Sequence, residues 1–167
     1  MERSKVIYDN YVLFENGVVL SLKTNSFLDG CVNSGGYIQI YINGKIRYLH
    51  RLLSEAFIEN SSCLPCVDHI NRNKLNNDLS NLRWCSHSEN SRNSSKSSNN
   101  TTGETCIYKC THNGKPRWLV EVMMNGKRHA RYFKRDSNTI PKEAIDARDK
   151  LKLKLHGDFA FIPNRFA

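Results

Sequence analysis

The side chains best suited to chemistry lie within one stretch of the chain, Val67 to Asn93. Asp68 and His69 are adjacent near its start, and Asn90 stands near its end. Carboxylate and carboxamide oxygens suit Mg²⁺ or Mn²⁺, with water and a substrate phosphate completing the octahedron. An imidazole that stays off the metal can act as a general base. The stretch therefore predicts a metal-assisted hydrolytic site, with His69 as the base and Asp68 and Asn90 as ligands.

Two local elements must bring these groups together. Adjacent residues of a strand point to opposite faces, so Asp68 and His69 can share a site only at a strand end or a bend. Ser86 is a good helix N-cap, and Glu89 follows three residues later. This capping-box spacing predicts a short helix that begins near Ser86 and presents Asn90 one turn in.

The same stretch resembles a known family. Its pattern V-D-H-I-N-x-N-K-x-N-N, followed by S-N-L-R-W-x-S-x-x-x-N, resembles the HNH nucleases, in particular the phage intron-encoded HNH homing endonucleases with a ββα-metal site. Y-x-x-x-x-x-G-V-V-x-S-L-K-T near the start and L-H-R-L-L-S-E-A-F-I before the site resemble the usual N-terminal companion of these nucleases, so the resemblance covers about residues 8–93. It implies that His69 is the general base, that Asp68 and Asn90 bind the metal, and that Asn81 braces the loop holding His69.

The resemblance implies an enzyme that hydrolyses DNA phosphodiester bonds and leaves 5′-phosphate and 3′-hydroxyl ends. A single site on a monomer would nick one strand first. The alternative is a non-catalytic, DNA-binding regulatory protein built on an inactive nuclease fold, which the presence of Asp68, His69, Asn81 and Asn90 disfavours. His50 is interpreted as a residue that caps or packs at a helix start rather than one that does chemistry.

Charge favours a polyanionic partner. The 167-residue chain has a formal net charge of +9 and a pI of about 9.4. Residues 106–167 carry 14 basic and 6 acidic side chains, a net charge of +8, whereas residues 1–105 carry 11 and 10. Double-stranded DNA is the expected partner, and the C-terminal third is its expected electrostatic anchor.

Turn signals predict an α+β fold. Glu15-Asn16-Gly17 and Asn43-Gly44 each separate two short apolar runs, which indicates antiparallel hairpins, and residues 50–57 have helical spacing. The predicted architecture is N-terminal hairpins with the ββα-metal HNH module, then a small three-stranded sheet packed on one helix. The expected core of that sheet is Ile107, Leu119, Val120 or Val122, and Phe133, against the apolar face of the helix. The predicted domains are a nuclease domain (1–93), a flexible Ser/Asn/Thr-rich linker (94–105) and a DNA-binding domain (106–167).

The C-terminal segment resembles the DNA-binding domain of plant ethylene-response factors. The resemblance rests on G-K-P-R-W-L-V-E-V-M-M-N-G-K-R-H-A-R-Y-F followed by K-E-A-I-D-A-R-D-K-L. That family lays its sheet in the DNA major groove and reads bases with alternate side chains. The matching base-reading positions are Tyr108, Cys110, Glu121, Met123, Lys127 and His129, and nearby phosphate contacts fall to Arg117, Arg128 and Arg131. Arg131 stands where a glycine is usual, and the plant target sequence does not carry over.

Other sequence features define the expected compartment. No apolar run approaches the roughly 20 residues of a membrane span, and the N-terminus lacks a signal-peptide core. A cytoplasmic protein of a bacterial or viral setting is expected, with free thiols. Cys63 and Cys66 form a C-x-x-C pair, but there is no second one, so a structural zinc is not favoured.

Overall fold

The computed structural model describes residues 3–93, 99–160 and 162. The chain divides into two compact units, Met1–Asn90 and Ser91–Ala167. Small antiparallel sheets and few helices make up both units, which confirms the predicted α+β class. Nowhere in the described ranges is a helix long and apolar enough to cross a bilayer.

Two small antiparallel sheets open the first unit. One contains β1 (Ser4–Ile7), β2 (Tyr11–Phe14), β3 (Val19–Ser21) and β4 (Ser26–Leu28), and the other contains β5 (Cys31–Val32), β6 (Ile38–Ile42) and β7 (Lys45–Tyr48). The two predicted hairpins are β2–β3 and β6–β7. Asn43 and Gly44 have φ values of 49° and 74°, as a two-residue turn with both central residues left-handed requires.

The remaining elements of the first unit surround the stretch that carries the candidate site. They are α1 (Leu49–Phe57), β8 (Cys66–His69), a 3₁₀ turn (Leu79–Asn81), β9 (Leu82–Cys85) and α2 (His87–Arg92), whose last two residues belong to the second unit. Leu52 and Leu53 of α1 pack into one core with Leu13 and Val19 of the first sheet and Leu82 of β9. This shared core fixes the β8–β9 hairpin against α1.

The second unit is a three-stranded sheet with one helix. Its elements are β10 (Ile107–His112), β11 (Lys115–Met124), β12 (Lys127–Lys134) and α3 (Lys142–His156). The predicted turns Asn113-Gly114 and Asn125-Gly126 connect the strands, with all four φ values positive. Gly157, at φ 53°, ends α3 where the sequence predicts the stop.

The core of the second unit differs from expectation at one position. Leu119 was expected inside, but the buried residues of the sheet are Ile107, Trp118, Val120 and Val122. Strand residues alternate between faces, so burying Trp118 and Val120 turns Leu119 to the other side. The indole offers more apolar area to α3 than a leucine does, and it decides which face is buried.

The start of the second unit also differs from expectation. Of the predicted flexible linker 94–105, residues 94–98 lie outside the described residues. Residues 99–105 are held in place by hydrogen bonds. Thr102 Oγ1 donates to the Ile107 carbonyl at 2.8 Å, and Glu104 accepts from the buried Arg148. A segment without apolar side chains is therefore fixed by its polar groups.

Candidate active site

The β8–β9 hairpin sets the two faces of the site. Its register pairs Asp68 with Arg83 and Cys66 with Cys85, so these four side chains share one face. Val67 and Leu82 occupy the opposite face and pack into the core with α1. Asp68 is only 6% exposed, and its Oδ2 accepts hydrogen bonds from Arg83 Nε at 2.9 Å and Nη2 at 2.7 Å. Arg83 thereby fixes the orientation of the carboxylate.

His69 is the last residue of β8 and is 5% exposed. Its Nε2 lies 3.1 Å from Oδ1 of Asn77. An amide oxygen can only accept, so in this contact the Nε2–H of His69 donates to Asn77. His69 is on the α1 face of the hairpin, and Asp68 is on the other. A substrate can approach both only at the end of the strand.

Asn81 closes the loop between His69 and β9. Its Oδ1 accepts from the Asn71 amide at 3.0 Å, and its Nδ2 donates to the Asn76 carbonyl at 2.7 Å. Its own carbonyl accepts from the Ile70 amide at 2.9 Å. Three hydrogen bonds from one nearly buried residue tie the two sides of the loop together directly after His69.

The short helix α2 begins as the capping box predicts. Glu89 Oε2 accepts from the Ser86 amide at 2.8 Å, and the Glu89 amide donates to Ser86 Oγ at 3.2 Å. Cys66 Sγ lies 3.1 Å from His87 Nδ1, so α2 starts on the hairpin face that carries Asp68. Asn90, which is exposed, follows His87 by three residues and shares its helix face. From this spacing we expect Asn90 on the same side of the hairpin as Asp68.

The available donors suit a hard divalent ion held only in part by protein. Asp68 and Asn90 offer one carboxylate and one carboxamide, and water or phosphate oxygens would fill the remaining positions. Across the described ranges, no three His, Cys, Asp or Glu side chains are grouped so as to hold a metal ion. Cys63 is exposed, and the Cys66 thiol contacts His87.

Burial changes the acid–base properties of two neighbouring groups. His50, in the first turn of α1, has its pKa lowered to about 4, mainly by burial and then by His69 and Arg51. Burial raises the pKa of the Cys85 thiol to about 12, and nearby Asp68 adds to the rise. At neutral pH, His50 is therefore uncharged and Cys85 remains a thiol.

The predicted DNA-reading residues of the second unit do not share one face. The face away from α3 carries Tyr108, Cys110, Arg117, Glu121, Met123 and Arg128. Lys127, His129 and Arg131 pair with Met124, Val122 and Val120, so they lie on the α3 side of β12. The expectation of one base-reading face is therefore wrong for Lys127 and His129, because β12 pairs with β11 without a bulge and strict alternation applies.

Sequence reasoning did not assign a role to Asn77 or Arg83. Asn77 is one of several asparagines in the loop, and its spacing does not reveal that it reaches His69. Arg83 stands opposite Asp68 in the register, a relation that the hairpin pattern around Asp68 and Trp84 would have revealed.

Comparisons with known proteins agree with the hairpin-and-helix site. Residues 47–92 match a family model described as HNH endonuclease. This segment, which includes Asp68, His69, Asn81 and Asn90, is thus an HNH endonuclease domain.

Curated relatives come from viruses and phages. The uncharacterized HNH endonuclease L245 of Acanthamoeba polyphaga mimivirus is 35% identical over 49% of this chain and 26% of its own length. L560 of the same virus is 34% identical over 80% of this chain and 65% of its own length. The H-N-H endonuclease F-TflII of Escherichia phage T5 is 39% identical over 49% of this chain and 47% of its own length. The chain thus spans less than two thirds of the length of each.

One solved structure is also similar. It is described as DNA binding and cleavage by the HNH homing endonuclease I-HmuI. The similarity has a TM-score of 0.48 and 31% identity, and it covers 55% of this chain and 56% of that one.

Proposed function

We propose that this chain is a metal-dependent HNH endonuclease of the homing type that hydrolyses DNA phosphodiester bonds. The observation that carries the proposal is the end of β8, where a carboxylate held by Arg83 and an imidazole held by Asn77 adjoin within the segment that matches the HNH model. In this proposal Asp68 and Asn90 hold Mg²⁺ or Mn²⁺, and His69 is the general base.

The chemistry follows from what each side chain can do. A bound divalent ion would supply Lewis-acid stabilisation of the charge that develops on phosphate and leaving-group oxygens. His69 accepts the proton of the attacking water, while its hydrogen bond to Asn77 helps to orient the ring. Asn81 maintains the loop that carries Asn77. In-line attack of water on phosphorus would leave a 5′-phosphate and a 3′-hydroxyl.

DNA as the substrate is supported by charge and by the relatives. The net charge of +9 favours a polyanion. The similar solved structure is described as DNA binding and cleavage, and the curated relatives are described as endonucleases. One site on one chain, acting as a monomer, would nick one strand before the other.

The second unit is proposed as the targeting module. Its sequence resembles that of the ethylene-response-factor domain, and the face of its sheet away from α3 presents Tyr108, Arg117, Met123 and Arg128. Tyr108 and Met123 are about half exposed, which suits contact with base edges, and Arg117 and Arg128 suit phosphates.

The test is cleavage of a supercoiled plasmid in the presence of Mg²⁺ under single-turnover conditions. The plasmid carries the genomic DNA that flanks the gene for this protein. The wild-type protein should produce nicked circles, and EDTA should abolish them. His69→Ala should bind DNA normally but cut about 10²–10⁴-fold more slowly, the usual contribution of a general base.

The ligand pair has its own matched variants. Asn90→Asp keeps an oxygen donor at the position, whereas Asn90→Ala removes it, so Asp should retain more activity than Ala. A wild-type protein that binds DNA without cutting it in Mg²⁺ or Mn²⁺ would identify the non-catalytic alternative.

A further inference from the structure

Lys74 lies in the loop between β8 and β9, beside the candidate active site. Its Nζ donates to the Gly35 carbonyl at 2.8 Å and lies 4.4 Å from the centroid of the Tyr37 ring. The centroid of the Tyr37 ring, in turn, lies 6.1 Å from that of the His69 ring. One aromatic ring therefore separates the ammonium group from the proposed general base.

The turn that holds the ammonium group is itself fixed by hydrogen bonds. Asn33 Oδ1 accepts from the Tyr37 amide at 3.0 Å, and the Asn33 amide donates to the Tyr37 carbonyl at 2.9 Å. The Asn33 carbonyl accepts from the Gly36 amide at 2.9 Å. The carbonyl and the ring that contact Lys74 both belong to this turn. A long side chain is thus held at one place in the protein alone, which lowers the entropy cost of binding a ligand there.

The positive charge of Lys74 is not matched by a carboxylate. Two arginines of the same unit, Arg83 and Arg51, pair with Asp68 and Glu55. Among the ion pairs of the described residues, none includes Lys74. A carbonyl and an aromatic face attract an ammonium group but carry no net charge. Lys74 is also exposed, and an ammonium group has three N–H donors, so it can bind a further anion.

We propose that Lys74 binds a phosphate group of the DNA strand that is cut, at or next to the scissile bond. The inference rests on the proposed function, because it requires a DNA strand at His69. Lysine binds phosphate as a point charge, and such a contact positions the backbone without reading the sequence. The contact is equally strong before and during the reaction, so it contributes to DNA affinity and not to the rate of cutting.

The first experiment measures DNA binding by Lys74→Met, which keeps an unbranched apolar side chain and removes the charge. Binding is measured in EDTA, so that no strand is cut. Lys74→Met should weaken binding of the full-length chain and lower the slope of log K against log salt by about 1. Lys74→Arg keeps a cation and should retain the wild-type slope. Lys23→Met removes the same charge from an exposed turn of the first unit and should change both quantities much less.

The second experiment separates a phosphate contact from a bracing role in the turn. A series of duplexes carries one uncharged methylphosphonate at a time, at each position of both strands. In the wild-type protein, one substitution at or next to the nick on the cut strand should weaken binding about 10-fold. In Lys74→Met the same substitution should have much less effect, because the partner of that phosphate is already absent.

The rate of cutting gives a third readout. At saturating DNA with Mg²⁺, Lys74→Met should nick within about threefold of the wild-type rate, although more DNA is needed to reach half of that rate. If the wild-type protein fails to nick DNA, the proposed function fails. The salt slopes and the methylphosphonate series still decide whether Lys74 contacts a phosphate.

Three results would overturn the inference. Lys74→Met could bind DNA with the wild-type affinity and salt slope. Every methylphosphonate could have the same effect in Lys74→Met as in the wild-type protein, which would mean that Lys74 only braces the turn. The position that depends on Lys74 could also lie on the uncut strand.

Discussion

Arg83 shows how a residue outside the reaction can set the geometry of a ligand. Its guanidinium donates twice to one oxygen of Asp68, and the two side chains are only 17% and 7% exposed. The net attraction within a buried ion pair adds little to the stability of the fold. Removing one partner, however, leaves an unpaired buried charge, which is strongly destabilising. The pair therefore orients the carboxylate and also makes the hairpin sensitive to substitution.

The prediction at this scale concerns that sensitivity. Arg83→Met removes two hydrogen bonds to a nearly buried carboxylate, so it should lower the free energy of unfolding by about 2–4 kcal/mol. Urea unfolding measures the change. Adding Asp68→Asn should recover part of the loss, because the two residues act as a pair. Purely additive losses in the double variant would contradict the interpretation.

At the scale of elements, α1 carries an acid-sensitive group into the core of the first unit. His50 has a folded-state pKa of about 4, below its ordinary value of 6.5. The unfolded chain therefore binds a proton at a pH where the folded chain does not. The stabilisation is fully present above about pH 6.5 and is lost as the pH falls from there towards 4.

As the pH falls from 6.5 towards 4, the wild-type protein should lose about 1–2 kcal/mol of unfolding free energy through His50, after discounting for the partial exposure of the ring. His50→Phe cannot take up the proton. Between pH 7 and pH 4.5, the unfolding free energy of the wild-type protein should therefore fall by about 1–2 kcal/mol more than that of His50→Phe. The carboxylates titrate equally in both proteins and cancel. Equal pH dependence of the two proteins would show that His50 does not carry the effect.

Elements with strong local signals were predictable. Asn-Gly turns fix hairpins because both residues tolerate positive φ, and the Ser86–Glu89 capping box fixes the start of α2. The strands β1, β4 and β5 were missed. They have only two to four residues with little alternation, and pairing with neighbours rather than propensity makes them strands.

The site was predictable in its residue types but less so in its contacts. The residue types of Asp68 and His69 identify them as candidates for catalysis. Asn77 and His50 lie near His69 only because of the path of a loop and the packing of α1, which the sequence pattern does not reveal. In β11 the polar residues Arg117 and Glu121 already indicated that Leu119 faces outward with them. The continuous apolar run around Leu119 obscured that signal.

At the scale of the molecule, the positive charge is concentrated in the C-terminal part of the chain, away from the segment that carries the candidate active site. The segment 1–105 is nearly neutral, and 106–167 carries a net +8. An enzyme arranged this way would draw most of its salt-dependent affinity from the second unit, because each phosphate contact releases counterions. The cutting step would depend little on that unit once DNA is bound.

The two faces of the second sheet allow a test of this division. Arg117→Ala and Arg128→Ala, on the face away from α3, should each weaken binding of the full-length chain to DNA and lower the slope of log K against log salt by about 1. Arg131→Ala removes the same charge from the other face of β12 and should change both quantities much less. Single-turnover nicking at saturating DNA should be the same for all three variants. If Arg131→Ala had the largest effect, the α3 side of the sheet would be the DNA-binding face. Glu121, which accepts from Arg128 Nε, would then serve to hold that arginine away from DNA.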